Sequence, residues 1–236
     1  MARFNLKSLQ KRTLSAVLLI PIAFWALYSG GWPLIILMKL CFLLVAYEWS
    51  LLIPKLSCVK EKIGFSVVGV LYVPLAFFCY FALSEFQYKF HLVLIMLVWA
   101  SDITAYFAGK IVGGPKLMPI LSPNKTWAGM VGAVMGPVIL MLAIYALFFP
   151  EIDCVAAEPC EGSQPNPFAL TLMLQLAALT GVAGQVGDLA ISFLKRKANV
   201  KDTGSLLPGH GGALDRLDSL LFCSIVFVVA LMGLGF

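Results

Sequence analysis

Seven apolar stretches separated by short polar connections set the pattern of the chain, at residues 14–29, 34–53, 63–83, 91–109, 127–149, 168–193 and 217–236. About 20 apolar residues in helical conformation cross the hydrocarbon core of a bilayer. The pattern therefore predicts an all-α, polytopic integral membrane protein of about seven transmembrane helices. The connections are too short for a separate water-soluble domain, so a functional site has to be assembled from helix ends and loops. The 168–193 stretch is the weakest of the seven, because Gly181, Gly184 and Gly187 fall inside it and glycine weakens a helix interior.

Composition agrees with a lipid environment. Hydrophobic residues make up 61% of the chain and charged residues 12%, about half the charged share of a typical soluble domain. The basic residues then orient the spans. Of the 17 lysines and arginines, 15 lie in the N-terminal segment or in the 54–62, 110–126 and 194–216 connections. Lys and Arg collect in cytoplasmic loops, which predicts a cytoplasmic N-terminus and an external C-terminus. The first stretch, behind Arg3, Lys7, Lys11 and Arg12, has no clear small-x-small cleavage site and reads as an uncleaved anchor. The 150–167 connection is acidic, which suits the outer side, and holds Cys154 and Cys160; a disulfide and two free thiols both remain open there. Cys41, Cys79 and Cys223 fall in spans as packing residues, Cys58 lies in an inner loop, and no metal-type cysteine spacing occurs.

Ionisable side chains inside apolar spans are costly and mark sites. Glu48, Asp102 and Asp188 are the survivors. Glu48 is close to the inner end of its span, which favours a water-facing or structural role. Trp99, Asp102, Tyr106 and Gly109 share one helix face by their i, i+3, i+7, i+10 spacing, so Asp102 faces something polar. Asp188 has Ser192 one turn on, with Lys195 and Arg196 beyond, while Asp215 and Asp218 open the last span. Carboxylates beside cations at a water-accessible helix end suit Mg²⁺ with phosphates, since Mg²⁺ takes one or two carboxylates plus water and phosphate oxygens. Two loops on the same side suit anions. One carries Gly204, Gly209, Gly211 and Gly212 around His210, the other Ser122, Asn124, Lys125 and Thr126. Gly129, Gly132 and Gly136 follow, and close helix packing is the better reading for Gly136.

The string SFLKRKANVKDTGSLLPGHGGALDRLD, with WASDITAYFAG, LSPNKTW and GQVGDL upstream, resembles the signature of phosphatidate cytidylyltransferases, the CDP-diacylglycerol synthases. The resemblance covers roughly residues 95–222 and, more loosely, the AYEW segment around Glu48. It implies a transferase that joins CTP to phosphatidate with release of pyrophosphate, in phospholipid biosynthesis, at a bacterial inner membrane with the active site facing the cytoplasm. It also implies one transmembrane domain over 1–236, with N-terminal helices to 90 and catalytic helices and cytoplasmic loops over 91–236. The family's metal-binding aspartates fall on Asp188 and Asp215. Asp188, Asp215, Lys201 and Asp218 are the catalytic candidates. Ser122, Asn124, Lys125, Thr126, Ser192, Lys195, Arg196, His210, Gly211, Gly212, Arg216 and Asp102 are the substrate-binding ones. Mg²⁺ is the implied cofactor; a second cation such as K⁺ and a homodimeric assembly are left open, and no nucleic acid is expected as a partner. At Ala128 and Ile191 many relatives carry an acidic or amide side chain, and the chain is shorter than most, chiefly in its N-terminal half. A CTP-dependent polyprenol or phytol kinase and a secondary transporter are the rival readings, separated by their products and by transport.

Overall fold

A computed structural model of the chain describes residues 17, 20–86, 90–156, 167–204, 206 and 211–233. The basic residues Arg3, Lys7, Lys11, Arg12 and Lys89, together with Cys160, His210 and the side chain of Cys154, lie outside the described residues.

A short apolar helix, α1 (Ile20–Ser29), precedes six helices long and apolar enough to span a membrane. These are α2 (Gly31–Leu52), α3 (Val59–Phe86), α4 (Phe90–Ile111), α5 (Trp127–Ala156), α6 (Pro167–Lys197) and α7 (Leu214–Gly233). Each follows one of the predicted stretches, but α1 is described over about 15 Å only at 1.5 Å per residue, half the thickness of the hydrocarbon core. Two features depart from the sequence reading. The connection after α4 is not a plain loop: β1 (Lys116–Met118) pairs antiparallel with β2 (Ser122–Thr126). The helix α5 also runs on to Ala156 and takes in Glu151 and Asp153, which the sequence reading placed in a loop.

The bundle is inside-out relative to a soluble protein. Trp32, Val70, Phe78 and Val229 are exposed, as side chains facing lipid can be. What holds the helices together is then close packing and interhelical hydrogen bonding, since lipid tails are as apolar as leucine. Small residues do this at each of the central contacts. Between α4 and α5, the Thr104 hydroxyl lies 2.7 Å from the Gly132 carbonyl and 2.6 Å from the Ala100 carbonyl, and donates to one of them. A Cβ at Gly136 would strike the Thr104 hydroxyl and come within 2.7 Å of the Ala100 carbonyl oxygen.

The same logic explains why α6 is unbroken despite its three glycines. Gly181 packs on the backbone of Ala133 and Val134 in α5, and Gly187 faces Phe222 and the Asp218 carbonyl of α7. Their lack of side chains is used between helices, where it lets α6 approach both neighbours, and the helical hydrogen bonds run through. Two apolar clusters fill the interior. One includes Leu34, Leu83, Leu94, Leu97 and Phe227. The second surrounds the junction of α2, α6 and α7 with Val45, Trp49, Leu52, Ile191, Leu194 and Leu214. Ile191 is thus buried in apolar packing.

Replacing Gly136 by valine should lower the unfolding free energy by about 1–3 kcal/mol, the usual cost of overpacking a well-filled contact. Thermal unfolding in detergent measures this, with Val131→Ala on the exposed side of α5 as the control. An unchanged midpoint for the Gly136 variant would show that the α4–α5 contact is not close-packed.

Candidate active site at one end of the bundle

The site is built around a carboxylate with no lysine or arginine partner among the described residues. Glu48, near the end of α2, is completely buried. Its Oε1 accepts the backbone N–H of Ala213 at 2.9 Å, and Oε2 accepts that of Leu214 at 2.9 Å and the Thr203 hydroxyl at 2.8 Å. Ala213 and Leu214 are where α7 begins, so Glu48 satisfies N–H groups that a helix start leaves without partners. The positive end of the helix dipole also stabilises the charge. Gly204 and Gly212 make the fit possible. A Cβ at Gly204 would come within 2.6 Å of Glu48 Oε1, and one at Gly212 would meet both the Thr203 hydroxyl and Glu48.

Thr203 passes this order on to the first turn of α7. Its backbone N–H donates to Asp215 Oδ2 at 2.8 Å, and its hydroxyl lies 3.0 Å from the same oxygen. The other oxygen, Oδ1, is held by Lys195 Nζ at 2.7 Å, from the last turn of α6. Lys195 and Asp215 are both largely buried, so this is an ion pair that water screens only weakly.

A second lysine–carboxylate pair comes from the hairpin. Lys125 in β2 reaches Asp188 Oδ2 at 2.8 Å and the Gln185 carbonyl at 3.3 Å, both on α6. The Ser192 hydroxyl donates to Asp188 Oδ1 at 3.2 Å. Arg196 Nε donates to the Leu121 carbonyl at 3.3 Å, fastening the tip of the hairpin to the end of α6. Asp102 of α4 interacts electrostatically with Asp188 and Lys125, and the buried Asp218 of α7 interacts with Asp188, Lys195 and Asp102. Four carboxylates from three helices therefore gather with two lysines at one end of the bundle.

The structure brings seven of the expected residues together and redefines several others. Asp102, Lys125, Asp188, Ser192, Lys195, Asp215 and Asp218 form one electrostatic network. Thr126 is not free to meet a substrate: it is buried, and its hydroxyl accepts the Gly129 N–H at 3.1 Å as the N-terminal cap of α5. Ser192 is engaged with Asp188. Asn124, Lys201 and Arg216 are exposed and Ser122 is partly so. Gly211 has φ of 88°, a conformation open to glycine at little cost, and it brings the chain toward Asp215. Gly212 serves the Glu48 contact, and His210 lies outside the described residues. Sequence reasoning missed Thr203, whose only signal was its place before Gly204, and left Glu48 without partners.

The donor chemistry fits a divalent cation. The oxygen-rich cluster carries two more carboxylates than lysines, an excess that opposes a phosphate ligand unless further positive charge is present. Among the described residues no three acidic, cysteine or histidine side chains converge closely enough to cage a metal. A cation here would take few protein ligands and complete its shell from phosphate and water, the habit of Mg²⁺.

Comparison with known proteins identifies the family. A family model described as the cytidylyltransferase family matches residues 50–234. The chain is 44% identical over 128 residues to a phosphatidate cytidylyltransferase of Brucella abortus biovar 1, covering 54% of this chain and 41% of that protein. It is 34% identical over 178 residues to one from Bacillus subtilis, covering 73% and 60%, and 32% identical over 199 residues to one from Staphylococcus aureus, covering 83% and 69%. The chain thus spans less than half the length of the Brucella relative and about 60% of the Bacillus one.

Glu48→Leu should destabilise the protein by about 2–4 kcal/mol, because three buried donors lose their acceptor. Glu48→Gln should cost less, since one oxygen remains. Denaturation in detergent reports the order of the two. Hydrogen exchange at Ala213 and Leu214 should accelerate in the leucine variant, and unchanged protection there would remove Glu48 from its capping role.

Proposed function

This chain belongs to the cytidylyltransferase family, and we propose on that footing that it condenses CTP with phosphatidate to give CDP-diacylglycerol and pyrophosphate. The observation that carries the reading is the gathering of Asp102, Asp188, Asp215 and Asp218 with Lys125 and Lys195 at one end of the bundle. That charge pattern suits polyphosphate chemistry beside a membrane.

In the proposed reaction an oxygen of the lipid phosphate attacks the α-phosphorus of CTP. A new P–O bond forms as the bond from the α-phosphorus to the bridging oxygen breaks, and pyrophosphate leaves with the electron pair. A phosphate monoester has a second pKa of about 6 and is already a nucleophile near neutral pH, so no side chain needs to act as base. The protein's work is positioning and charge stabilisation. Asp188 and Asp215 would hold Mg²⁺, which supplies neutralisation of charge on the triphosphate. Lys125 and Lys195, each already at a carboxylate, are placed to take phosphate oxygens as they arrive. Asp102 and Asp218 orient these groups, and the Glu48–Thr203 contacts fix Asp215. Lys201, Arg196 and Asn124 stand exposed around the network and provide outer contacts to phosphate. His210 is assigned to the geometry of its loop or to phosphate.

We assign the site to the cytoplasmic face of a bacterial inner membrane. The basic connections support that side, and CTP is available there.

Purified protein supplied with labelled CTP, phosphatidate and Mg²⁺ should release pyrophosphate and form CDP-diacylglycerol. Asp188→Asn and Asp215→Asn should each reduce turnover by roughly 100-fold or more while the purified protein keeps its elution volume and helical circular dichroism. Lipid phosphate with CDP as products would mean a kinase instead. A folded wild type that forms no CDP-lipid would end the proposal.

A further inference from the structure

A cavity of about 390 Å³ opens beside the carboxylate cluster, walled by α1, α2, α3, α4 and α7. On α4 its lining runs from Asp102 back to Ile95, and on α7 from Arg216 to Ser224. At 1.5 Å per residue each run is about 10–12 Å long, so the cavity extends from the site into the membrane-spanning part of the bundle. Its two charged residues, Asp102 and Arg216, are at the same end. The rest is mainly apolar, with Ala23, Leu27, Leu34 and Leu37 contributed by the first two helices. Tyr80, 6% exposed, also lines it, and its buried hydroxyl has no hydrogen-bond partner among the described residues.

Such a shape selects its occupant. Apolar cavities do not hold water, and side chains around a void forgo dispersion contacts. Within a bilayer the material that fills the space is hydrocarbon. An ion route would need polar walls along its length, which this cavity lacks. The charged end adds a second requirement, because Asp102 belongs to the network of Asp188 and Lys125 and Arg216 offers a guanidinium suited to phosphate oxygens. A molecule with an anionic head at the cluster and a hydrocarbon tail in the cavity meets both.

We infer that this cavity receives one acyl chain of the phosphatidate substrate, with Arg216 at its mouth facing the lipid phosphate. This rests on the cytidylyltransferase reading and adds to it a division of the cations: Arg216 serves the lipid, and Lys125 and Lys195 serve the nucleotide. It also predicts that chain length is read by the protein and not only by the membrane.

The test compares dioleoyl with dihexanoyl phosphatidate in mixed micelles at a fixed surface fraction, for the full chain and for Ala23→Trp and Leu37→Trp, which narrow the cavity from two different helices. Each variant should raise KM for the dioleoyl substrate about tenfold with kcat retained, the mark of lost binding shared by ground and transition states, and should move the dihexanoyl constants by less than about twofold. Equal losses on both substrates, or no loss on either, would overturn the assignment. Should both variants elute as aggregates, the wild type alone decides. Oleoyl lysophosphatidate should then inhibit dihexanoyl turnover with a Ki at least about tenfold below that of hexanoyl lysophosphatidate, and equal Ki values would overturn it. A wild type that makes no CDP-lipid from either substrate would instead remove the reading on which the inference rests.

Discussion

A buried carboxylate at the start of the last helix organises this end of the molecule. Glu48 has no lysine or arginine partner among the described residues; its charge is met by two backbone N–H groups and one hydroxyl. An ionised acid left without such donors would be strongly unfavourable in an apolar cluster, so Thr203, Ala213 and Leu214 are drawn in around it. That closure turns Thr203 toward Asp215, and Asp215 in turn anchors Lys195. The site is therefore rigid for a reason that lies one layer beneath it, in a residue that touches no reacting group.

The two lysine–carboxylate pairs express a related constraint. Lys125 comes from a hairpin and Lys195 from the end of a spanning helix, yet both are largely buried and both rest on aspartates. Pairing lets the charges survive partial burial, and the excess of acids over lysines makes the cluster receptive to further positive charge. Around it, the glycine and threonine contacts of α4, α5, α6 and α7 hold the helices near enough for side chains from three of them to interact. Lipid exposure and site chemistry thus draw on different faces of the same helices.

Most of the helices were legible in the chain because their signal is long and local: some 20 apolar residues are hard to mistake. The site aspartates were legible for the same reason in reverse, as charges where lipid should exclude them. What escaped was non-local or too short. The hairpin has strands of only three and five residues and offers no alternating run. Thr126 sits at a helix start, where a hydroxyl caps as readily as it binds, and only the Gly129 contact decides between the two. The role of Glu48 depends on partners 155 to 166 residues away, a distance over which spacing carries no information. The glycines of α6 misled as helix breakers because their neighbours on α5 and α7 were invisible.

That long separation orders events during synthesis. The ribosome delivers Glu48 well before the amides that will receive it, so α2 enters the bilayer carrying an acid whose eventual donors do not yet exist. Until α7 emerges, only water at the membrane boundary can take the place of those donors. The final helix therefore does more than complete the bundle: its arrival converts a liability of the nascent chain into the fastening of the mature one, and chains that stop short of it leave Glu48 without the two amides that receive it.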